Sequence, residues 1–408
     1  MNSINLFKSI VRVFYHEGFR GLLARIKTRT KSKRLIKRHL DWSSFVLLKE
    51  KPTTVAGHAS PSKNKTTFLM LIPEPERGSG GRMTMARVIR YLAARNMDCS
   101  VAFYPEVTNG QFAACANEWM DEFAFESTAC KVLRLEEAGV RTFDIAMATY
   151  WPGAYVVKNC ISAASKGYLV QDFEPAFHPP GSMFAFAEET YRMGLWGICA
   201  SPWLAEMLSA KYGMQTEAFL LGIDKKEYYL EKSITRENNL AVAYIRRHTE
   251  RRGYELIMWA LKTLKDRMPG VRIEIFGDER FPSKFLWIDR NHGVLRHAEL
   301  RALYNRASVG IVTSFTNYSL IPNEMIACGC AVVELDTPCT RSSFPPGVVS
   351  LERATPQHLA QAAQVLLADQ NHRKIQIQNG LKYIEAISWE QSLATVYAAI
   401  QKFSTQSK

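Results

Sequence analysis

Short runs of consecutive apolar residues alternate along this chain with longer stretches in which apolar residues recur every three or four positions. Thr67-Phe-Leu-Met-Leu-Ile is a run of the first kind. It shows no in–out alternation, as expected of a parallel strand covered on both faces. Arg82 to Arg95 follows with Met83, Ala86, Val88, Ile89 and Leu92 on one side, a helical spacing. Asp98-Cys-Ser-Val-Ala-Phe-Tyr is the next strand. Strand, glycine-bearing loop, helix and strand make a βαβ unit. The same pattern predicts strands at 142–149, 166–171, 197–201 and 216–221, with helices near 152–165, 181–194 and 202–212.

A second series opens at Leu240-Ala-Val-Ala-Tyr-Ile. It predicts a helix at 253–267, a strand at 271–276, a short strand near 293–295, a helix at 297–307 and a strand at 309–314. Helices at 355–368, 373–387 and 389–403 close the chain. Two successive α/β runs predict two doubly wound domains, with ligands at the carboxyl ends of the strands in the cleft between them. The expected organisation is a helical segment over 1–50, a linker over 51–66, domains over 67–222 and 223–387, and a terminal helix over 388–408. The linker is set by EKPTTVAGHASPSKNKT, which is polar and rich in Pro, Ser and Lys.

The most informative segment is Ser314–Asp336, SFTNYSLIPNEMIACGCAVVELD. Asn317-Tyr318-Ser319 is turn chemistry. Pro322 suits a first helical turn, where its missing N–H has no partner to lose. Cys328-Gly-Cys breaks the helix and Ala331-Val-Val begins a strand. A loop feeding a helix start offers free N–H groups that suit a phosphate. Glu324, in that first turn, can hold sugar hydroxyls.

With 408 residues, 47% of them apolar and 22% charged, the chain has room and composition for two globular domains. It contains no run of 18 apolar residues, and its N-terminus lacks a signal peptide's apolar core, so a cytoplasmic protein is expected. The eight cysteines form no C-x2-C pair and read as reduced thiols. Of the net charge of +13, residues 1–40 hold +10: eleven Lys/Arg against Glu17 alone. Leu6, Ile10, Val13, Phe14, Phe19, Leu22, Leu23 and Ile26 give that basic segment an apolar helical face. Such a helix suits an anionic membrane surface. A solvated basic arm has the same composition. Nucleic acid is disfavoured as a partner because no nucleic-acid motif follows.

Arg246-Arg247 ends the first strand of the second series, and Arg252-Gly253 opens its helix. Arginines spaced across a strand-to-helix loop can converge on a diphosphate and stabilise the charge that grows on it as a leaving group. A solvated charge cluster is the plain alternative. Tyr168-Leu-Val-Gln-Asp-Phe-Glu-Pro ends a strand with Asp172 and Glu174, either of which can orient or deprotonate an acceptor hydroxyl. A loop-organising role would use the same residues. His178 is a second candidate there, although a lone His is more often structural. Tyr150 and Trp151, at another strand end, can stack on a sugar or pack in the core. Gly80-Gly81-Arg82 closes a glycine-rich strand-to-helix loop that lets a phosphate approach the backbone. It is neither a Walker loop nor G-x-G-x-x-G, so NAD is not expected.

Together these segments resemble the GT-B glycosyltransferases of family GT4, over roughly residues 67–403. Glu324 matches the second Glu of the family's Glu-x7-Glu signature, which runs into "EAMACG-PVV" as Glu324 runs into Ala327-Cys-Gly-Cys-Ala-Val-Val; the first Glu position is Thr316 here. Arg247 and Arg252 take the Arg and Lys places of "GR-x4-KG". Gly80, Gly81 and Arg82 resemble the family's first-strand loop "GG-x-x-R/H". Ile275-Phe276-Gly277-Asp278 resembles a strand end near the nucleobase, where Gly277 serves a tight turn first. Gln171 replaces the His of the family's "HD". "TNYSLIP", "VQDFEP" and "AT-x-W-x-x-AY" resemble the rhamnosyltransferases of bacterial surface polysaccharides, and Ser388-Trp389-Glu390 resembles the family's terminal-helix start.

The resemblance implies catalysis through Asp172, Glu174, Arg247 and Arg252. It implies donor binding through Gly80, Gly81, Arg82, Arg246, Gly277, Asn317, Tyr318, Ser319, Leu320 and Glu324, and sugar lining by Tyr150, Trp151 and His178. The implied reaction is transfer with retention from a nucleotide sugar, dTDP-L-rhamnose for that subgroup, to a lipid-linked glycan. No metal or other cofactor is implied, and the chain has no Asp-x-Asp pair. The departures at Thr316 and Gln171 keep open a non-catalytic nucleotide- or carbohydrate-binding protein on the same scaffold, and a nucleotide-sugar epimerase is a further reading.

Overall fold

The computed structural model describes residues 65–73, 80–104, 109–123, 130–279 and 285–406. The expected basic segment over 1–50, nearly all of the linker, and residues 76–79 of the glycine-rich loop lie outside the described residues. The described residues all fall in one unit, which carries both predicted α/β series.

The first sheet comprises β1 (Thr67–Ile72), β2 (Asp98–Phe103), β3 (Lys131–Leu133), β4 (Thr142–Ala148), β5 (Ser162–Val170), β6 (Trp196–Cys199) and β7 (Thr216–Ala218). Their order is β3-β2-β1-β4-β5-β6-β7 and every pair is parallel. The helices between them are α1 (Gly80–Ala93), α2 (Asn109–Glu122), α3 (Leu135–Gly139), α4 (Trp151–Asn159), α5 (Ser182–Glu189) and α6 (Pro202–Tyr212).

The second sheet comprises β8 (Glu237–Tyr244), β9 (Arg272–Phe276), β10 (Arg290–Asn291), β11 (Ala307–Ile311), β12 (Ala331–Leu335) and β13 (Ser350–Glu352). Its order is β10-β9-β8-β11-β12-β13, again parallel throughout. Its helices are α7 (Tyr254–Arg267), α8 (His297–Arg306), α9 (Ile321–Ala327), α10 (Pro338–Ser343), α11 (Pro356–Ala368) and α12 (Gln370–Ala386). Among the described residues no helix is long and apolar enough to cross a membrane.

In both sheets the strand order reverses beside the first strand, at β1/β4 and at β8/β11. A crevice opens at such a switch point, beyond the carboxyl ends of the strands, because successive connections leave on opposite faces. The ends of β1, β4 and β5 and those of β8 and β11 carry the residues singled out above.

The last helix, α13 (Trp389–Gln406), returns to the first sheet. Trp196 of β6 stacks on Phe403 with centroids 5.1 Å apart. The Ser388 hydroxyl accepts the Gln391 N–H at 3.2 Å, capping the helix start. Gly222 leaves room for this return: a Cβ there would sit 2.5 Å from the Trp389 backbone nitrogen.

Two expected elements shift. The helix expected over 152–165 ends at Asn159, and β5 begins at Ser162. Ala163, Ala164 and Ser165 read as helix formers, but Trp196 donates to the Ser165 hydroxyl at 2.8 Å and lies against Gly167, so tertiary packing overrides propensity. The short strand expected near 293–295 is Arg290–Asn291, because Gly293 takes φ +66° and turns the chain.

Candidate active site

Four arginines, Arg246, Arg247, Arg251 and Arg252, lie on the loop after β8, and three of them have different partners. Arg247 grips Asp278 in a two-pronged pair, with Nε 2.7 Å and Nη2 3.0 Å from the carboxylate oxygens. Arg252 donates to the Ser314 hydroxyl at 3.0 Å and the Asn317 carbonyl at 3.3 Å. Arg251, not singled out from the sequence, reaches across to the first sheet: its Nε lies 3.3 Å from the Asp172 carboxylate, and its guanidinium lies 4.1 Å from the Phe177 ring centre. The Arg246 guanidinium pairs with no described residue.

Asp172 follows β5 directly and is buried. One of its oxygens accepts the Phe173 N–H at 2.8 Å. Burial raises its pKa above the ordinary carboxylate range, while Arg251, Arg252 and Thr316 favour the ionised form. Thr316, the residue at the first Glu position of the family signature, thus faces Asp172 from the second sheet. The segment next to it is tied to the first sheet as well: the Asn317 amide donates to the carbonyls of Gln171 at 2.8 Å and Ala200 at 3.1 Å.

The glycines complete this seam. A Cβ at Gly80 would lie 3.4 Å from Leu320, and one at Gly81 would lie 3.4 Å from the Gln171 amide. The start of α1, the end of β5 and the loop before α9 therefore meet without side chains intervening at two positions.

On the α1 side of the seam lies a cavity of about 310 Å³, lined by Met83, Arg87, Asp224, Tyr228, His297 and Glu324 among others. Glu324 is buried, and its Oε2 has no hydrogen-bond partner among the described residues. Burial raises its pKa to about 7; Arg87 and the Tyr228 hydroxyl act in the opposite direction. The Tyr228 hydroxyl also shares a proton with His297 Nδ1 at 2.7 Å. A buried carboxylate oxygen left unsatisfied beside a polar cavity is poised for a hydroxyl-bearing ligand. The Ser319 hydroxyl, two residues before α9, is likewise buried without a hydrogen-bond partner among the described residues.

The other residues singled out from the sequence have these contacts. Asn317 Oδ1 also accepts from the Cys339 thiol at 2.8 Å, and the Tyr318 hydroxyl accepts the Leu221 N–H at 2.7 Å while its ring packs on Phe344. Glu174 is buried after β5. Its Oε2 accepts the Trp151 N–H at 2.6 Å, which fixes the start of α4, and burial raises its pKa to about 8. Arg82 lies over Trp119 and Phe123 and pairs with Glu122 at 2.9 Å, so its charge is spent on packing α1 against α2. Trp151 is buried edge-on to Tyr155 and His178, a core arrangement rather than a sugar platform.

Tyr150 lies against Gly153 and near Tyr104. Gly277 has φ +103°, and a Cβ there would sit 2.6 Å from the Ile245 carbonyl, so its first role is the turn. Sequence reasoning missed Arg251, Arg87, Tyr228 and His297. The last three come from separate helices and a linker, and no local motif marks them. It also missed Glu334, buried on β12 with its pKa raised to about 7 by burial and bonded by the Ser314 hydroxyl at 2.9 Å.

Comparison with known proteins places this geometry. Residues 247–397 match the family model described as "Glycosyl transferase-like". The chain is 36% identical over 219 residues to the O-antigen biosynthesis protein RfbC of Myxococcus xanthus. That match covers 52% of this chain and spans 17% of the relative's length. Among solved structures, Anabaena Alr3699/HepE in complex with UDP-glucose superposes with a TM-score of 0.63 at 13% identity, over 82% of this chain and 99% of that one. WaaG, a glycosyltransferase involved in lipopolysaccharide biosynthesis, superposes with a TM-score of 0.55 at 12% identity, over 81% and 98%. The two parallel-sheet domains thus have the GT-B fold of glycosyltransferases, and the second of them matches the glycosyl transferase-like family.

Proposed function

We propose that the protein is a glycosyltransferase of the GT4 type that moves a sugar from a nucleotide donor to a hydroxyl of a growing bacterial surface glycan. In its specific form the donor is dTDP-L-rhamnose, the acceptor is lipid-linked, and transfer is metal-independent with retention. The observation that carries this reading is the link between the two poles of the crevice: the arginine loop after β8 is hydrogen-bonded through Arg252 to Ser314 and Asn317, on the segment that leads directly to Glu324. Cations suited to a diphosphate and a carboxylate suited to ribose hydroxyls are thereby held on one framework. The name of the Myxococcus relative supports the O-antigen context, and the UDP-glucose bound to the Anabaena protein supports a nucleotide-sugar ligand.

In the proposed reaction the acceptor oxygen attacks the anomeric carbon as the bond from that carbon to the diphosphate oxygen breaks. Fixed arginines stabilise the departing charge more in the transition state than in the ground state. Asp172 is the carboxylate placed to orient the acceptor hydroxyl and to take up its proton. The enzyme works at the cytoplasmic face of the membrane, with the basic residues 1–40 as its membrane contact.

Purified protein is screened for thermal stabilisation by dTDP-rhamnose, UDP-glucose, UDP-galactose, GDP-mannose and their free diphosphates in EDTA. Stabilisation by one nucleotide, lost in Arg247→Ala, together with acceptor-dependent release of nucleoside diphosphate, is the expected result. Binding without release in the presence of acceptor glycans would favour the binding-protein reading, and conversion of the donor sugar without release would favour an epimerase.

A further inference from the structure

Two of the large apolar side chains that stay exposed among the described residues contact one arginine, Arg251. Phe177, 38% exposed, belongs to the short 3-10 turn Glu174–Phe177 that follows β5. Phe315, 47% exposed, belongs to the loop after β11. They come from different sheets, yet both are set by Arg251. Its guanidinium lies over the Phe177 ring at 4.1 Å, and its carbonyl accepts the Phe315 N–H at 3.2 Å. The Phe315 ring is seated over Gly253, where a Cβ would lie 2.6 Å from it. Any other residue at 253 would push that ring away.

The same Arg251 guanidinium pairs with the Asp172 carboxylate at 3.3 Å. Exposed aromatic faces beside a carboxylate and a guanidinium have the chemistry of a carbohydrate subsite. The C–H face of a pyranose covers the ring, and its hydroxyls bond to the charged groups. Neither phenylalanine is needed to fill a core. Tyr150 and Trp151, two of the three residues expected from sequence to line a sugar, pack against their own strand-end neighbours.

We propose that Phe177 and Phe315 form the platform for the acceptor sugar, with Asp172 and Arg251 binding its hydroxyls. This rests on the glycosyltransferase reading and assigns the acceptor half of its crevice. The position follows from the chemistry. Asp172 ends β5 beside the Gly81–Gln171–Asn317 seam, so a pyranose on the platform brings a hydroxyl to the carboxylate.

The test uses full-length protein saturated with whichever nucleotide stabilises it, and four probes: methyl α-L-rhamnoside, methyl α-D-mannoside, methyl β-D-glucoside and methyl β-D-galactoside. Saturation-transfer NMR is expected to show contact with the ring protons of at least one glycoside. The signal should fall at least fivefold in Phe177→Ala and in Phe315→Ala and persist in the Phe→Tyr variants, while nucleotide stabilisation stays as in wild type. Phe177→Leu and Phe315→Leu, which keep bulk without a π face, replace any alanine variant that fails to fold. Equal signals in wild type and variants overturn the platform, as does a nucleotide-bound protein that contacts none of the four glycosides. Absence of nucleotide stabilisation in wild type sinks the glycosyltransferase reading itself, which separates the two failures.

Discussion

Arg251, on the loop after β8, stands 3.3 Å from Asp172, at the end of β5, so the carboxylate of one sheet is neutralised by a cation from the other. The pair couples the state of Asp172 to the closeness of the two sheets. Arg251→Ala leaves a buried carboxylate without its counter-charge. The expected loss is about 1–3 kcal/mol of stability, reduced from the fully buried case because the Arg251 side chain is 31% exposed. Asp172→Asn should recover most of that stability in the Arg251→Ala background yet abolish transfer. A double-mutant denaturation cycle with a parallel transfer assay checks both outcomes.

Glu324 makes the nucleotide-free protein pH-sensitive. Its pKa rises from 4.5 to about 7 on folding, chiefly by burial, so the folded state holds the proton more tightly. The sign follows: the group stabilises fully below pH 4.5, and the contribution is lost as pH rises through about 7. Glu174, at about 8, and Glu334, at about 7, act in the same direction. Nucleotide-free protein should therefore have a higher denaturation midpoint at pH 5.5 than at pH 8. Glu324→Gln should remove part of this difference, on the order of 3 kcal/mol at most. Nucleotide affinity should show the opposite trend, strengthening towards pH 8 as the carboxylate ionises, and Glu324→Gln should flatten it. Calorimetric titration across that range decides; a flat wild-type profile would remove Glu324 from the binding site.

Arg252 holds the 314–317 loop by two hydrogen bonds. Arg252→Ala should cost about 1–3 kcal/mol of stability and weaken nucleotide binding at least tenfold. Arg252→Lys keeps the charge but not the fork and should fall between. Unchanged nucleotide stabilisation in Arg252→Ala would show that the loop alone, without this cation, makes the site.

Gly222 should tolerate no side chain. A Cβ there would lie 2.5 Å from the Trp389 nitrogen and 2.6 Å from its Cα, backbone atoms that cannot rotate aside. Gly222→Ala should destabilise by about 1–3 kcal/mol and loosen α13, read as faster proteolytic loss of the C-terminal residues. Proteolysis at the wild-type rate would show that the helix adjusts without cost.

Much of the fold is legible because a parallel strand covered on both faces must be a short, continuous apolar run. Thr67–Ile72 and Ala331–Leu335 could hardly be anything else. The helices that return over them carry their own periodicity. What escaped was the helix Asn109–Glu122 and elements that are short or compositionally ambiguous. Residues 338–343 and 350–352 are too brief to show a period, and the Ala-Ala-Ser start of β5 reads as helix until Trp196 packs on it.

The candidate site divides along a similar line. By itself the sequence determined which loops to single out, because arginines, glycines and carboxylates at strand ends lie where a doubly wound sheet opens its crevice. It placed Glu324, Asp172 and the 246–252 loop without any contact being known. Only the tertiary structure decided which of neighbouring side chains faces the crevice. Arg251 and Arg252 are adjacent in sequence and carry the same charge, yet one reaches Asp172 and the other Ser314. Glu174 lies two residues from Asp172 and points into the start of α4. Direction depends on backbone turns and on which distant hydrogen-bonding groups remain unsatisfied, and these are fixed by packing rather than by local composition.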